Sequence, residues 1–374
     1  MRVLAAILGV IILALVLVDA FNTLVLARRT QHIFRIARLY YRMTWGPTTA
    51  IARRIQSSKG REAFLAIYGP LSMLLLIALW AVALITAFGL VQWSAGMQPA
   101  AMPGTFANDL YLSASTLFTL SSGDPQNPVS KVIAATQAGL GFGFLGLVVS
   151  YLPVLYESFA KRESRISMLD ARAGSPPSAG ALLQDCPVAA DNFEDELAKW
   201  EEWFAQLLEN QLSFPMLGYF RSQHSNQAWL TALVAVVDCA AVVSLCAKND
   251  LQRQADLTFA MGRHALADIA VVFGLEKASH GHDGDADRLT ESDFAALQQV
   301  LREHPALFDA SLCTPSRLKE RRKQYEPQAA ALSDHFLMAL PSWRANEDSL
   351  VNWKASMENR SEVPYAVSDP FSEK

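Results

Sequence analysis

Hydroxyl-bearing residues and one carboxylate follow each other in a short stretch, TLSSGD at 119–124, between two long apolar runs. Its hydroxyl, carbonyl and carboxylate groups offer oxygen atoms to a cation. The stretch is too polar for lipid and too irregular for a helix. Such backbone is tolerated at membrane depth only where it is buried in protein or lines water. We therefore predict that 119–124 lines an ion pore; the alternative is a structured external linker in which Ser-Ser-Gly-Asp is only a turn.

The residues before 119–124 predict a short helix over 109–118. They are apolar or carry a hydroxyl from Leu110 to Phe118, and they include neither proline nor glycine. At about 1.5 Å per residue, this helix reaches only about half of a roughly 30 Å hydrocarbon core. We expect it to enter the membrane, stop at a turn and aim the negative end of its dipole at a cation in a central cavity.

This segment resembles the pore loop of two-helix potassium channels, whose pattern is T-x-x-T-x-G-Y-G-D. The residues that match its threonines, second glycine and aspartate are Thr116, Thr119, Gly123 and Asp124. Ser121 and Ser122 stand in place of the first glycine and the tyrosine. The resemblance implies potassium as the permeant ion and requires no other cofactor. The serines predict weaker selectivity, because Ser121 would be strained at positive φ and Ser122 lacks the ring that braces the filter.

The resemblance also implies which groups contact the ion. Five consecutive residues would supply the filter carbonyls, namely Thr119, Leu120, Ser121, Ser122 and Gly123, and Thr119 would add its hydroxyl at the inner end. Asp109 and Asp124 are the only acids in the outer loop and would form a negative mouth that concentrates cations. One chain carries one such loop without a repeat, so a central pore needs four copies and predicts a homotetramer.

Three apolar segments are long enough to cross a bilayer: 1–27, 64–93 as the outer helix and 129–159 as the inner helix. The N-terminal segment could instead be a cleaved signal peptide. Nine basic residues lie between Arg28 and Arg61, whereas none lies between Glu62 and Ser130. The positive-inside rule then places 28–62 in the cytoplasm and the N-terminus and filter loop outside the cell membrane. The basic segment predicts an amphipathic helix divided at Gly46-Pro47, which lies against anionic lipid or serves as a solvated linker.

Glycines and a proline mark the predicted inner helix: Gly139, Gly141, Gly143, Gly146 and Pro153. Part of this set satisfies G-x-G-x-x-G, but a dinucleotide site needs a strand before the pattern, and here it lies inside a membrane helix. The glycines and the proline therefore predict either a gating hinge or close helix packing.

The chain after the inner helix changes in composition. We predict a linker at 161–181, a helical cytoplasmic domain at 182–341 and a polar tail at 342–374. Thr290 and Asp293 form a capping box for one helix. The apolar run from Ala228 to Ala247 carries Asp238 at its centre, which favours the buried core of a soluble bundle over a fourth span.

Other chemistry has little support in the sequence. Asp283, Asp285 and Asp287 have the first spacings of a calcium loop, but Arg288 stands where that loop needs glycine. We predict no metal site, no catalytic set and no nucleic-acid partner. The hydrophobic content of 51% and the mean hydropathy of +0.17 are too high for an ordinary soluble protein of this size. Since no alternation of strands is visible in the C-terminal part, we predict an all-α membrane protein. Its predicted function is a tetrameric cation channel with an unidentified cytoplasmic partner; the alternative is a non-conducting receptor or scaffold with a channel-like fold.

Overall fold

Helices make up nearly all of this chain. The structure is a computed structural model and describes residues 1–24, 36–96, 105–120, 128–185, 190–222, 227–276 and 287–344. Helix accounts for 83% of it, and these ranges contain no strand, which confirms the all-α prediction. Four of the helices in these ranges are long and apolar enough to cross a membrane. The chain therefore has the composition of a multi-pass membrane protein.

The chain divides into two compact units. The N-terminal unit contains Met1–Phe159 together with Leu212–Phe220, and the C-terminal unit contains Ala160–Gln211 and the residues from Arg221 onward. The helices of the N-terminal unit are α1 (Arg2–Leu24), α2 (Ile36–Ala52), α3 (Ser58–Ala95), α4 (Phe106–Leu117) and the first part of α5 (Pro128–Ala173).

Helix α1 packs along α3, and its one acidic residue explains how these helices hold α2. The Asp19 carboxylate is buried and accepts hydrogen bonds from the Trp80 indole nitrogen at 2.9 Å and from the Ala37 backbone nitrogen at 3.1 Å. Ala37 lies in the first turn of α2, where backbone N–H groups lack partners within their own helix. Asp19 therefore caps α2 from a different helix.

Helix α2 is continuous, so the predicted division at Gly46-Pro47 is wrong. Pro47 lies inside the helix. The neighbouring Trp45 is buried, with its ring 4.8 Å from that of Tyr68 and 4.9 Å from that of Tyr219. Packing on Trp45 thus holds together a segment that its local sequence would break.

A short 3₁₀ helix, Pro215–Tyr219, belongs to the N-terminal unit although it comes late in the chain. The Tyr219 ring stacks on Tyr41 with centroids 5.1 Å apart and planes 4° apart. Phe220 packs on Phe159, and a Cβ added at Gly69 would lie 2.8 Å from the Phe220 ring. This segment fills an aromatic cluster formed by α2, α3 and α5.

Helix α5 continues to Ala173, so the predicted linker at 161–181 is wrong over its first thirteen residues. The charged residues at the start of the predicted linker are packed. Arg162 is buried and pairs with Glu163 at 2.9 Å. The Arg165 guanidinium lies 4.5 Å from the Trp200 ring centroid and 3.4 Å from Glu196. Only a short connection, which begins at Gly174 with φ +79°, precedes the next helix.

The C-terminal unit surrounds one apolar helix. Its helices are α6 (Ala179–Gln184), α7 (Ala190–Ser213), α8 (Trp229–Cys246), α9 (Asn249–Val272), α10 (Glu291–Glu303), α11 (Pro315–Arg322) and α12 (Glu326–Phe336). All 18 residues of α8 are buried. Thr290 caps α10 through Asp293, as the capping box predicts.

Asp238 in α8 has a complete set of partners. Both of its carboxylate oxygens accept from Arg288, at 2.7 and 2.8 Å, and the Tyr325 hydroxyl donates to one of them. Burial alone would lower the pKa of Arg288, but the charge of Asp238 and its hydrogen bonds raise that pKa above its usual value. The guanidinium is therefore charged. Arg288, which stands where a calcium loop needs glycine, is the partner of this buried carboxylate.

Candidate pore loop

Helix α4 is the short helix that the sequence predicts before the filter. Its twelve residues, Phe106–Leu117, begin three positions earlier than expected and extend about 18 Å, well short of a roughly 30 Å hydrocarbon core. The side that packs on α3 and α5 includes Leu112, Ser113, Thr116 and Leu117, all buried. Helix α4 is thus a half-length helix held between two long ones.

The turn that ends α4 has a strained residue at its centre. Thr119 has φ +55°, a region that β-branched residues rarely adopt. The Leu120 nitrogen donates to the Ser115 carbonyl at 2.8 Å, and the Thr119 nitrogen donates to the Thr116 carbonyl at 3.1 Å. These two bonds form a Schellman motif, in which the left-handed position is usually glycine. Threonine here costs about 1–3 kcal/mol, so surrounding contacts must hold this turn.

Three buried polar side chains connect α4 to both long helices. Gln92 of α3 donates from its amide nitrogen to the Gln137 side-chain oxygen at 2.6 Å. Gln137 of α5 donates in turn to the Ser113 carbonyl and hydroxyl, each at 2.7 Å. The Ser113 hydroxyl donates to the Ile85 carbonyl of α3 at 2.7 Å. The series of bonds begins and ends on α3 and passes through α5 and α4.

Gly141 lies at a close approach between α4 and α5. A Cβ added at this position would lie 2.2 Å from the Leu117 carbonyl oxygen, so no larger residue fits without movement. The prediction of Gly141 as a possible hinge is therefore replaced by its alternative, close packing. Gly139, Gly143 and Gly146 have open space around an added Cβ, and α5 remains one helix through these glycines and through Pro153.

The described part of the predicted filter is its first two residues. Thr119 occupies the strained turn, and Leu120 is 80% exposed in the single chain. Ser121, Ser122, Gly123 and Asp124 lie outside the described residues. Their predicted roles as filter and outer mouth remain predictions.

Two other predicted site residues point into the protein. Thr116 is buried in the last turn of α4. Asp109 lies in the first turn of that helix and its exposed fraction is 0%, so its placement at an open outer mouth is wrong. A carboxylate at this position instead interacts favourably with the positive N-terminal end of the α4 dipole.

The glutamine and serine bonds were not predicted from the sequence. The signal available was Gln137, a polar residue in an otherwise apolar run, because polar side chains inside membrane helices usually find partners. Its partners, however, lie 24 and 45 positions away along the chain. In the described ranges, no group of three histidine, cysteine, aspartate or glutamate side chains is placed to hold a metal ion.

Comparison with known proteins finds no family model, no curated protein and no solved structure that matches this chain. The sequence and geometry of the candidate pore loop, and of the helices that hold it, are therefore the basis for its proposed function.

Proposed function

We propose that this chain is a subunit of a homotetrameric cation channel in the cell membrane. The observation that carries the proposal is the geometry of α4, a helix of half-membrane length held between two long apolar helices. It ends at the Thr119 turn, directly before the hydroxyl-rich residues 120–124. A permeating cation would meet oxygen groups at this point.

The exposed end of α4 supports an assembly of several copies. Phe118 and Leu120 are 44% and 80% exposed, and residues 118–120 lie beyond the end of the helix at Leu117. Backbone that has left a helix cannot face lipid, because its N–H and C=O groups would lack partners. Four copies around an axis would cover this turn and leave only a central path for water and ions.

The distribution of residues around α5 supports the same arrangement. One stripe of this helix is buried within the chain and includes Ala134, Gln137, Gly141, Tyr151 and Leu155. Other faces are exposed, and small residues recur there: Gly139, Gly143, Gly146 and Ser150. A helix that lines a cavity or packs closely on another copy would have small residues of this kind. The exposed Pro153 lies further along, in the part that we assign to the gate together with the C-terminal unit.

Potassium is the proposed permeant ion, with relaxed selectivity because Ser121 and Ser122 replace filter residues of the family pattern. The negative end of the α4 dipole would stabilise a cation beside the Thr119 hydroxyl. The basic residues between Arg28 and Arg61 orient the chain, with its N-terminus outside and its C-terminal unit in the cytoplasm. They also offer a contact for anionic lipid.

Reversal potentials test this proposal. Purified protein in planar bilayers is recorded with potassium on one side and sodium on the other, alongside the Gly123→Asp variant. We expect a current whose reversal is shifted toward the potassium potential and which the variant abolishes. A reversal near zero with current would indicate a non-selective cation pore and contradict potassium preference. Absence of current at every voltage and lipid composition would contradict the channel itself.

A further inference from the structure

Gln137 makes hydrogen bonds to the helices on both sides of it, and its exposed fraction is 0%. We propose that Gln137 is the positioning residue of the pore: it fixes the height and rotation of α4 and thereby the selectivity of the filter that follows. The selectivity part of this inference rests on the proposed channel function. The positioning part does not.

Donor and acceptor chemistry allows only one orientation of these groups. The Ser113 carbonyl can only accept, so Gln137 must present its amide nitrogen to Ser113 and its oxygen to Gln92. The Ser113 hydroxyl donates its one proton to the Ile85 carbonyl and is therefore free to accept from Gln137. Gln92 and Ile85 are seven residues apart in α3, which places them on one face, two turns from each other. The ring of bonds closes on that face.

Two contacts one helical turn apart fix the register between α4 and α5. Gln137 bonds to Ser113, and four residues later Gly141 lies against the Leu117 carbonyl. A single contact would leave α4 able to rotate or slide, whereas two contacts along the helix axis prevent both. Leu117 precedes the strained Thr119 by two residues, so a shift of α4 reaches the first filter residue directly.

Hydrogen exchange tests the positioning part in full-length protein in lipid. Gln137→Leu removes both donated bonds at similar volume. Thr86→Val is the matched control, since the Thr86 hydroxyl bonds only within α3, to the Val82 carbonyl. We expect amide exchange in 106–117 to become about tenfold faster in Gln137→Leu, the size expected for a buried hydrogen bond lost from the segment. The control should exchange like the wild type. Unchanged exchange in Gln137→Leu would overturn the inference.

The pH dependence of ion selectivity in the Gln137→Glu variant tests the selectivity role, because a purely structural role of Gln137 would not change it. A protonated carboxyl group can donate to the Ser113 carbonyl and accept from Gln92, whereas an ionised one has no proton to donate. Burial in an apolar helix favours the protonated carboxyl, so we expect the potassium over sodium permeability ratio of this variant to stay near the wild-type ratio at neutral and acidic pH. The ratio should fall toward one as the bath is made alkaline. The ratio in Gln137→Leu should stay close to one at every pH.

The outcomes separate this inference from the proposed function. Wild-type protein without current would overturn the channel and the selectivity role together, while exchange in 106–117 would still decide whether Gln137 positions α4. Current in all variants with faster exchange but an unchanged permeability ratio would overturn the selectivity role alone. A Gln137→Glu ratio that does not respond to pH, in a protein that still elutes as the wild-type oligomer, would overturn it as well.

Discussion

Helices α5 and α8 are both apolar enough to cross a membrane, yet the chain treats them differently. The most apolar part of α5 is 17% buried within the chain, whereas that of α8 is 100% buried. Of the two, α8 has the more apolar composition. Hydropathy therefore does not distinguish a spanning helix from the central helix of a bundle. The extent to which other helices bury each one does distinguish them.

The polar groups inside these two helices also differ. Gln137 of α5 is neutral and takes part in bonds between neutral amides, a hydroxyl and carbonyls. Asp238 of α8 is paired with the charged Arg288. A bundle that brings several helices to one point can supply a cation for a buried acid. Lipid supplies none, so a neutral amide is the less costly polar group in a span.

The largest expected effect concerns the membrane topology of α8, because a tag lies either on one side of the membrane or on the other. Short epitope tags inserted at 186–189 and after Arg344 flank α8. If α8 is the centre of a bundle, both tags should lie on the same side of the membrane. The orientation proposed above predicts that both are protected in intact cells and accessible after permeabilisation. Tags that appear on opposite sides would make α8 a fourth span and remove the contrast with α5.

Breaking the buried pair should give the next largest effect. Asp238→Asn keeps the shape of the side chain but removes the fully buried counter-charge of Arg288, which then keeps only the Glu326 carboxylate at 3.0 Å. This change should lower the free energy of unfolding by about 3–4 kcal/mol, the lower part of the range for a broken buried pair. Tryptophan fluorescence during guanidinium denaturation measures it. Asp250→Asn, at an exposed position in the first turn of α9, is the control and should change stability by at most about 1 kcal/mol, the contribution of a carboxylate to the helix dipole. Equal effects of the two variants would refute the importance of the pair.

Acid should weaken the bundle around α8 through His335. Burial lowers the pKa of His335 from 6.5 to about 4. Between these values the unfolded chain binds a proton that the folded chain does not, so this contribution to stability is complete above pH 6.5 and is lost as the pH falls toward 4. The loss should reach about 3 kcal/mol. In His335→Leu, the part of the acid sensitivity that lies in this window should disappear when unfolding is followed at a series of pH values.

Two glycine substitutions in α5 should have the smallest effects on stability, and these effects should be opposite in sign. Gly141→Ala places a methyl group against the Leu117 carbonyl and should destabilise the protein by about 1–3 kcal/mol. Gly143→Ala, which meets open space within the chain, should stabilise α5 by about 0.5–1 kcal/mol through helix propensity. Thermal unfolding in detergent compares them. Equal behaviour of the two variants would show that α4 does not approach α5 at Gly141.

Local signals in the sequence predicted much of the helical fold. The length of the apolar runs predicted α1, α3 and the membrane part of α5. The absence of proline and glycine from 110–118 predicted α4. The Thr290 cap was also recognised, because its partners lie within three residues. These features depend on neighbours in the chain, which a single sequence displays.

Features that depend on distant residues were missed. The packing of Arg165 was not predicted, because Trp200 and Glu196, which hold it, come more than thirty residues later. Asp109 was placed at an open mouth although it is buried. The order of the chain does not show that Gln92 and Gln137 meet, so the bonds that hold the candidate site could not be derived from it.

The 3₁₀ segment Pro215–Tyr219 has a consequence for biosynthesis. The Tyr41, Trp45 and Tyr68 rings are made early, but Tyr219, which packs on all three, is added about 150 residues after Tyr68. At roughly 5–20 residues per second, the ribosome needs some 8–30 seconds to deliver it. During this interval the nascent membrane domain carries an uncovered aromatic surface. A translation product that stops at Phe159 would retain that surface permanently, and so would be a natural substrate for membrane quality control.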